Sequence, residues 1–249
     1  MPGSSPAPYF KGYILQKFIA RIATIKQETP TIKSFKLDYG EQAFQFLPGQ
    51  WIDLSVEIDG KMETGGYSMT SSPLMQGTFE LAIKQGARHP VTRFMYDHAQ
   101  EGDTVSVSTG QGVFVYERGM GEKIILIGAG VGVTPLMSIL RFVDDAAPEV
   151  DATLVYSIPT ADEFLFRSDL QEIEGRNPRI HSLITVTQPD LDNWQGRIGR
   201  IDSDLLKNAG LTADTMYYLC GPQLMIEDVV AELKKLDVPE SRIVYEKWW

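Results

Sequence analysis

A long apolar run with glycines in its middle, "IILIGAGVGVTPLMSIL" over residues 124–140, most constrains what this chain can fold into. The run has about the length of a membrane-spanning helix, but its glycines are concentrated within a few residues and Pro135 follows them. A spanning helix rarely concentrates helix-breaking residues so tightly. The run therefore predicts a buried strand over residues 123–127, a glycine turn, and a helix that carries Pro135 in its first turn, where the missing N–H is no loss.

The glycine turn has the features of a seat for a pyrophosphate group. Backbone N–H groups at the start of the helix lack intrahelical partners, and glycines let an anionic ligand approach them closely. The residues that would form this seat are Gly128, Gly130, Val131, Gly132, Thr134 and Pro135. The alternative is a glycine-rich corner between a strand and a helix that binds nothing, since short glycine patterns are common.

The spacing of the turn departs from the ordinary dinucleotide-binding fingerprint. Val133 stands where that fingerprint has its third glycine. The next strand, predicted over about 152–157, ends in "YSIPT" without the acidic residue that would hold an adenine ribose. An ordinary Rossmann dehydrogenase is therefore disfavoured.

The two halves of the chain differ in their pattern of hydrophobic residues. Up to about Gly121, short alternating β-rich runs such as "FIARIATIKQ" and "WIDLSVEI" are separated by Gly, Pro and Asp turns, a spacing typical of a small antiparallel barrel. After it, strands alternate with helical segments, which predicts a parallel sheet covered by helices. We therefore predict a flexible tail over 1–8, an antiparallel β-barrel domain over 9–118 and an α/β domain with a parallel sheet over 119–249, joined through the polar loop "ERGMGE".

Composition excludes several classes of protein. A net charge of −10 argues against a nucleic-acid binder, which needs a positive field to displace counterions. The single cysteine, Cys220, excludes an internal disulfide, a Cys-rich zinc site and a built-in iron–sulfur cluster, so we expect no metal site and a reducing, cytoplasmic location. The opening "MPGSSPAP" lacks the basic and apolar regions of a signal peptide, so we expect a loose tail, and we predict no transmembrane segment.

Several motifs occur in the order in which the ferredoxin–NADP reductase superfamily has them. They are "FLPGQWIDL", "GGYSMTSSP", "RHPVTRFMYDHAQEGD", "TGQGVF", the glycine turn, "YYLCGP" and the C-terminal "YEKWW". The chain resembles that superfamily along nearly its whole length, and its Gly-Gly pair is also similar to the oxidoreductase NAD-binding domain-containing proteins, a branch of it. The resemblance implies a flavin on the barrel and a nicotinamide nucleotide on the α/β domain.

The resemblance assigns the flavin to two motifs of the barrel domain. Tyr67 would pack its ring on the flavin, and Ser68 would offer a hydroxyl near the reactive flavin nitrogen. The alternative is that both are strand residues that face the core. Thr92 and the backbone amides at the start of the helix "VTRFMYDH" would bind the flavin phosphate, whereas Arg93 is either an added cation or a solvated helix charge. The other predicted flavin-binding residues are Met69, Thr70, Arg88 and Val91.

The nicotinamide end of the site is implied by "CGP" and by the C-terminal residues. The residues of "CGP" follow an apolar strand at the carboxyl edge of a parallel sheet, where ligands bind; they are Cys220, Gly221 and Pro222. The alternative for Cys220 is a buried, inert thiol. Glu246 would match a carboxylate that assists proton transfer, or it is a solvent-exposed residue at a strand end.

The C-terminal Trp248 and Trp249 are large apolar side chains that are costly to expose. In the superfamily that the chain resembles, a C-terminal aromatic residue covers the flavin and gives way to nicotinamide, so we expect both tryptophans at the cofactor site. The residues predicted to take part in catalysis are Ser68, Cys220, Glu246 and Trp249.

Two departures from the flavin motifs bear on the identity of the flavin and on how tightly it binds. Gly65 replaces the arginine that clamps the flavin pyrophosphate, and His89 replaces the glycine that opens the second motif. The expected flavin is FAD, bound more weakly or held by another cation such as Arg88 or Arg93; FMN is the alternative.

The predicted strand "SLITVT" bears on the choice of nicotinamide cofactor. It ends at Thr187 and Gln188, where NADP-selective relatives often carry an arginine. NADH is favoured over NADPH, because a 2′-phosphate dianion would lack a compensating cation there. Arg197 and Arg200 keep the question open.

These features together predict a flavin reductase, in which hydride passes from NADH (or NADPH) to FAD. Electrons would then leave to a separate acceptor, because the sequence carries no iron–sulfur motif; a ferredoxin, an oxygenase component or a small oxidant such as free flavin would each fit. The alternative is a non-catalytic or regulatory electron-transfer subunit that keeps the fold but has lost flavin through Gly65.

Overall fold

The computed structural model describes residues 16–189, 194–212 and 214–247. Within these residues the chain forms two six-stranded sheets, one antiparallel and one parallel. The predicted fold class, a β-barrel followed by an α/β domain, is therefore confirmed. No helix in the described ranges is both long and apolar enough to cross a membrane.

The antiparallel sheet occupies the N-terminal half. Its strands are β1 (Lys17–Thr29), β2 (Ile32–Asp38), β3 (Trp51–Ile58), β4 (Lys61–Ser68), β5 (Thr78–Lys84) and β6 (Thr104–Ser108). They lie in the order β4-β3-β6-β1-β2-β5. The two edge strands meet just beyond β4, where Met69 forms a bridge with Leu81 and the Thr70 N–H donates to the Glu80 carbonyl at 2.8 Å. This contact closes the sheet into a barrel.

Alternating hydrophobic residues explain the strands of the barrel. In β1, the side chains of Phe18, Ala20 and Ile22 are buried, while those between them point to solvent. Helix α1 (Pro90–Asp97) covers one opening of the barrel, with Val91 and Met95 buried in the same core. Its start lies beside β4, which carries the Tyr67 motif.

The parallel sheet occupies the C-terminal half. Its strands are β7 (Lys123–Ala129), β8 (Asp151–Ile158), β9 (Ile180–Val186), β10 (Arg197–Ile198), β11 (Met216–Gly221) and β12 (Ile243–Lys247). They lie in the order β10-β9-β8-β7-β11-β12. The helices are α2 (Val133–Ala146), α3 (Arg167–Arg176), α4 (Ser203–Asn208) and α5 (Gln223–Lys235). The apolar run of β7 is buried on both faces, as expected for a central parallel strand.

The segment between β6 and β7 packs the two halves together. Phe114 and Tyr116 each meet the Tyr218 ring of β11 edge-on, at centroid distances of 5.6 Å and 6.2 Å. Both side chains belong to the core cluster of the α/β half. The domain border after residue 118 stays a prediction.

Candidate functional site

A cleft of about 850 Å³ lies between the barrel and the carboxyl ends of the parallel strands. Such an edge of a parallel sheet is where ligands bind in α/β folds. Residues predicted from sequence occur on both walls; they are Tyr67, Ser68 and Thr92 of the barrel, and Gly130, Val131, Gly132, Thr134, Thr187, Gly221 and Pro222 of the α/β half. The structure thus brings the two predicted binding regions to one cavity.

The barrel wall of the cleft is built by the end of β4 and the first turn of α1. The Tyr67 and Thr92 hydroxyls hydrogen-bond at 2.9 Å. Burial raises the pKa of Tyr67, and the Thr92 contact only partly opposes this, so the phenol is neutral at physiological pH. Among the described residues, no side chain caps the start of α1. Its first N–H groups are therefore available to an anion beside Thr92.

Other predicted flavin residues support this wall or lie apart from it. Met69 and Val91 are fully buried in the barrel core, and Thr70 is buried where the barrel closes. Arg88 and Arg93 are exposed and do not line the cleft. Lys84, at the end of β5, does line it and supplies a cation that the motifs did not indicate.

The two departures from the flavin motifs lie against each other. A Cβ added to Gly65 would lie 2.8 Å from His89 Cε1, and 3.0 Å from both Cε2 and the hydroxyl oxygen of Tyr67. The imidazole ring of His89 therefore takes up the space in which a side chain at position 65 would begin. The motifs alone do not indicate this contact, because the residues belong to different elements.

The glycine turn uses its three glycines in different ways. Gly130 has φ +54° and open space around the position of a Cβ. A Cβ on Gly132 would lie 2.6 Å from the Cys220 carbonyl oxygen, and one on Gly128 would lie 2.7 Å from Leu136 Cδ1. Gly130 therefore leaves room for a ligand, whereas the other two glycines permit close packing of the chain against itself.

The start of α2 faces the cleft beside Gly130. A short 3₁₀ turn at 130–132 leads into the helix, and no side chain in the described part of the chain caps its first turn. The Thr134 hydroxyl donates to the Val131 carbonyl at 2.9 Å, and the Tyr156 hydroxyl donates to the Gly130 carbonyl at 3.0 Å. Pro135 is buried in the first turn of α2, as predicted from its position in the run. These contacts fix the turn through its carbonyl oxygens, and they leave its N–H groups without a side-chain cap from the described residues.

The strand β11 carries "CGP" to the same edge of the sheet. Cys220 lies between Gly128 of β7 and Glu246 of β12 in the parallel register. Its side chain is fully buried and does not line the cleft, whereas Gly221 and Pro222 do. The Cys220 backbone is what approaches the glycine turn.

Glu246 is half-buried, not solvent-exposed, at the boundary between the two halves. A Cβ added to Gly112 of the barrel would lie 3.6 Å from Glu246 Oε1 and 2.7 Å from Trp51 Nε1. Trp248 and Trp249 lie outside the described residues, so their predicted role stays a prediction.

The far end of the cleft is formed by the ends of β9 and β10 and by α5. Thr187 lines it, whereas Gln188 does not. Arg197 pairs with Asp202 away from the cleft, while Arg200 lines it and lies 3.8 Å from Asp228 of α5. No motif pointed to Asp228, because only the fold brings α5 beside the end of β10.

These residues fit a flavin and a nicotinamide dinucleotide. The cleft has the volume of a site for a large cofactor. Helix starts without side-chain caps from the described residues approach it from both halves, and Gly130 is open where a phosphate needs close approach to the backbone. Tyr67 offers a neutral aromatic ring on the barrel wall of the cleft.

Comparison with known proteins agrees with this arrangement. Residues 19–116 match the oxidoreductase FAD-binding domain family, and residues 126–231 match the oxidoreductase NAD-binding domain family. Oxidoreductase NAD-binding domain-containing protein 1 of Danio rerio is 33% identical over 94% of this chain and 93% of its own length. One of the subunits of the 1,2-phenylacetyl-CoA epoxidase of Escherichia coli is 29% identical, over 92% of this chain and 66% of its own length.

The fold also matches solved structures. A ferredoxin NADP⁺ reductase from Neisseria gonorrhoeae, solved with bound FAD and NADP, superposes with a TM-score of 0.79 at 22% identity, over 94% of this chain and 99% of that one. The fold and the two domain matches define a two-domain, ferredoxin reductase-like oxidoreductase with an FAD-binding and an NAD-binding domain. Within that class, the chain belongs to the family of oxidoreductase NAD-binding domain-containing protein 1.

Proposed function

We propose that this protein is an NADH-dependent flavoprotein reductase that binds FAD in the cleft and passes electrons to a separate acceptor. The observation that carries the proposal is that Tyr67 and Ser68 of the barrel and the Gly130 turn of the α/β half line the same cavity. Bound FAD would accept hydride from the nicotinamide and release electrons singly or in pairs.

On the barrel side, the residues would hold and orient the flavin. Tyr67 presents a neutral ring, and Ser68 ends β4 with a nearly buried hydroxyl on the cleft wall. Thr92 and the N–H groups of α1 would bind the flavin phosphates, with Lys84 as the nearby cation. This arrangement supports flavin binding without an arginine at position 65.

On the α/β side, the residues would hold the nicotinamide nucleotide. The Gly130 turn and the start of α2 suit its pyrophosphate, and Gly221 and Pro222 shape the cleft near the barrel. Glu246, half-buried at the boundary between the halves, would hold or move a proton at its carboxylate. We propose NADH over NADPH because Thr187 itself carries no cation for a 2′-phosphate, and Arg200, the cation that lines the same end of the cleft, is paired with Asp228.

The proposed acceptor is another protein or a small oxidant. A relative named as part of an epoxidase supports an oxygenase component as one acceptor class. A ferredoxin and free flavin are further acceptors of suitable chemistry. A cytoplasmic location remains part of the proposal and rests on the single cysteine.

The spectrum of the purified protein tests the proposal. We expect a yellow protein whose extracted cofactor is FAD, and whose flavin absorbance bleaches on anaerobic addition of NADH and does so less readily with NADPH. Ferricyanide added as an artificial acceptor should restore the absorbance. A colourless protein that takes up neither FAD nor FMN would overturn the proposal in favour of the non-catalytic alternative, which the FAD-binding domain match does not favour.

A further inference from the structure

Arg200 and Asp228 form an ion pair at the end of the cleft away from the barrel. Their side chains are 84% and 63% exposed, and Arg200 Nη1 lies 3.8 Å from Asp228 Oδ2. Both residues line the cleft. We infer that Asp228 selects the nucleotide by repelling a 2′-phosphate, which Arg200 would otherwise attract, and by accepting a hydrogen bond from a free 2′-hydroxyl. This inference rests on the proposed function.

The position of the pair follows from the geometry of the cleft. Tyr67 and Ser68 mark its barrel side, and the start of α2 marks its middle, where a pyrophosphate fits. A dinucleotide with its reactive ring towards the barrel therefore extends its adenosine half past the Gly130 turn. Arg200 and Asp228 line the cleft on that farther side, with Thr187 at the end of β9.

Asp228 supplies from α5 the acidic group that the sequence lacks at the end of β8. An acidic residue that follows the second strand commonly binds the adenine ribose hydroxyl in dinucleotide-binding folds. Here β8 ends at Ile158, and the residues that line the cleft at this strand end are not acidic; they are Ser157, Ile158 and Pro159. A carboxylate accepts hydrogen bonds but donates none when ionised, so it suits a hydroxyl and opposes a phosphate.

The ion pair itself contributes little stability, because both side chains are largely exposed. Arg200 is therefore easily redirected towards an incoming anion. Its neighbour Arg197 is engaged with Asp202. Glu227, next to Asp228 on α5, accepts from Gln223 and does not line the cleft. The opposite charges of Arg200 and Asp228 thus set the affinity of this position for a 2′-phosphate dianion.

Two adenosine nucleotides without nicotinamide test the inference. Adenosine 5′-monophosphate carries a free 2′-hydroxyl, and adenosine 2′,5′-bisphosphate carries the 2′-phosphate. Binding of each is measured by calorimetry on the whole chain as purified, with the variants Asp228→Asn, Arg200→Gln and the double variant. Glu227→Gln is the matched control, because it removes the same charge from the same helix outside the cleft.

We expect Asp228→Asn to shift the affinity ratio towards the bisphosphate by about three- to tenfold, the effect of one like charge a few ångströms away in a partly solvated site. Adding Arg200→Gln should remove that gain, and Glu227→Gln should leave the ratio within about twofold of wild type. An unchanged ratio in Asp228→Asn, an equal gain for both nucleotides, or failure of the wild type to bind either one would overturn the inference.

These outcomes are distinct from failure of the proposed function. If the protein binds no flavin but Asp228→Asn still shifts the ratio, the reductase proposal fails and the selector role stands. If flavin binds and bleaches with NADH but the ratio does not move, Asp228 is only a surface partner of Arg200.

Discussion

At the scale of single residues, Gly65 and His89 show how two departures from a motif can depend on each other. The superfamily pattern has a large cation at the first position and glycine at the second; this chain has glycine and histidine. The His89 ring lies where the side chain of residue 65 would start. Gly65 is therefore compatible with the His89 ring, whereas a larger residue at position 65 would meet that ring unless residue 89 were also small.

The contact between position 65 and His89 bears on the FAD affinity expected when an arginine is placed at position 65. We expect Gly65→Arg alone to bind FAD no more tightly than wild type, because its Cβ would lie 2.8 Å from His89 Cε1 and 3.0 Å from the Tyr67 hydroxyl. The double variant Gly65→Arg/His89→Gly removes the ring and should bind FAD about fivefold more tightly through a new cation–phosphate contact. Quenching of flavin fluorescence on binding measures both affinities. Equal tightening in the single and double variants would show that His89 moves aside freely.

Glu246 and Cys220 are neighbours in register at the proposed nicotinamide end of the site. We expect Glu246→Gln to slow reduction of the bound flavin by NADH several-fold, because the half-buried carboxylate lies where the two halves meet. Cys220→Ala should slow it less, because its side chain is buried and only its neighbours line the cleft. Rapid-mixing absorbance measures the rates. Wild-type rates in both variants would remove these residues from the chemistry.

At the scale of elements, the glycine turn between β7 and α2 joins a binding role to a packing role. Gly132 and Gly128 allow β11 and α2 to approach the turn, while Gly130 has open space where a Cβ would lie. Substitutions at the two kinds of position should therefore have different effects.

We expect Gly132→Ala to lower the free energy of unfolding by about 2–3 kcal/mol, because the new methyl group would overlap the backbone of β11. Its Cβ would lie 2.6 Å from both the Cys220 oxygen and Gly221 Cα. Gly130→Ala should cost only about 1 kcal/mol for its left-handed conformation, yet weaken nucleotide binding more than stability explains. Chemical denaturation and calorimetry of adenosine 5′-monophosphate binding measure the two effects. A larger stability loss at Gly130 than at Gly132 would contradict this division of roles.

The sequence predicted those elements that depend on local hydrophobic periodicity. The apolar run correctly indicated β7 and α2, although β7 continues to Ala129, because Gly128 and Ala129 still pair with β8. The cofactor site at Tyr67 and Ser68 was predicted from the resemblance of "GGYSMTSSP" to a flavin motif and not from periodicity, and both residues line the cleft. Residues such as Lys84 and Asp228 could not be predicted, since only the packing of separate elements brings them to the cleft.

At the scale of the whole molecule, the cleft depends on how α2 is fixed to the barrel. Arg141 of α2 donates to the Thr70 carbonyl at 2.9 Å, pairs with Glu80 at 3.1 Å and with Asp169, and lies over the Phe166 ring. One turn earlier, the buried Ser138 hydroxyl donates to the Ser71 carbonyl at 2.8 Å. The same helix therefore begins at the proposed pyrophosphate seat and holds the closing point of the barrel.

A loss of this link should loosen both the structure and the cleft. In Arg141→Met the apolar stem is kept, but Glu80 and Asp169 lose a partner whose side chain is only 17% exposed. We expect the free energy of unfolding to fall by about 1–3 kcal/mol, below the cost of breaking a fully buried pair because both acids reach solvent. The KM for NADH should rise several-fold while the spectrum of bound flavin changes little, since the barrel wall is intact.

The matched control is Arg118→Met, which breaks the exposed Arg118–Glu149 pair outside the cleft. Denaturant unfolding and steady-state kinetics with ferricyanide as acceptor compare the two variants. We expect the control to change neither quantity appreciably, because an ion pair in solvent is screened and costs side-chain entropy to form. If Arg141→Met lowers stability but leaves the KM for NADH at the wild-type value, the link stabilises the fold without setting the width of the cleft. If both variants show the same free energy of unfolding and the same KM for NADH, the contacts of α2 with Thr70 and Glu80 do not fix the position of the barrel relative to the α/β half.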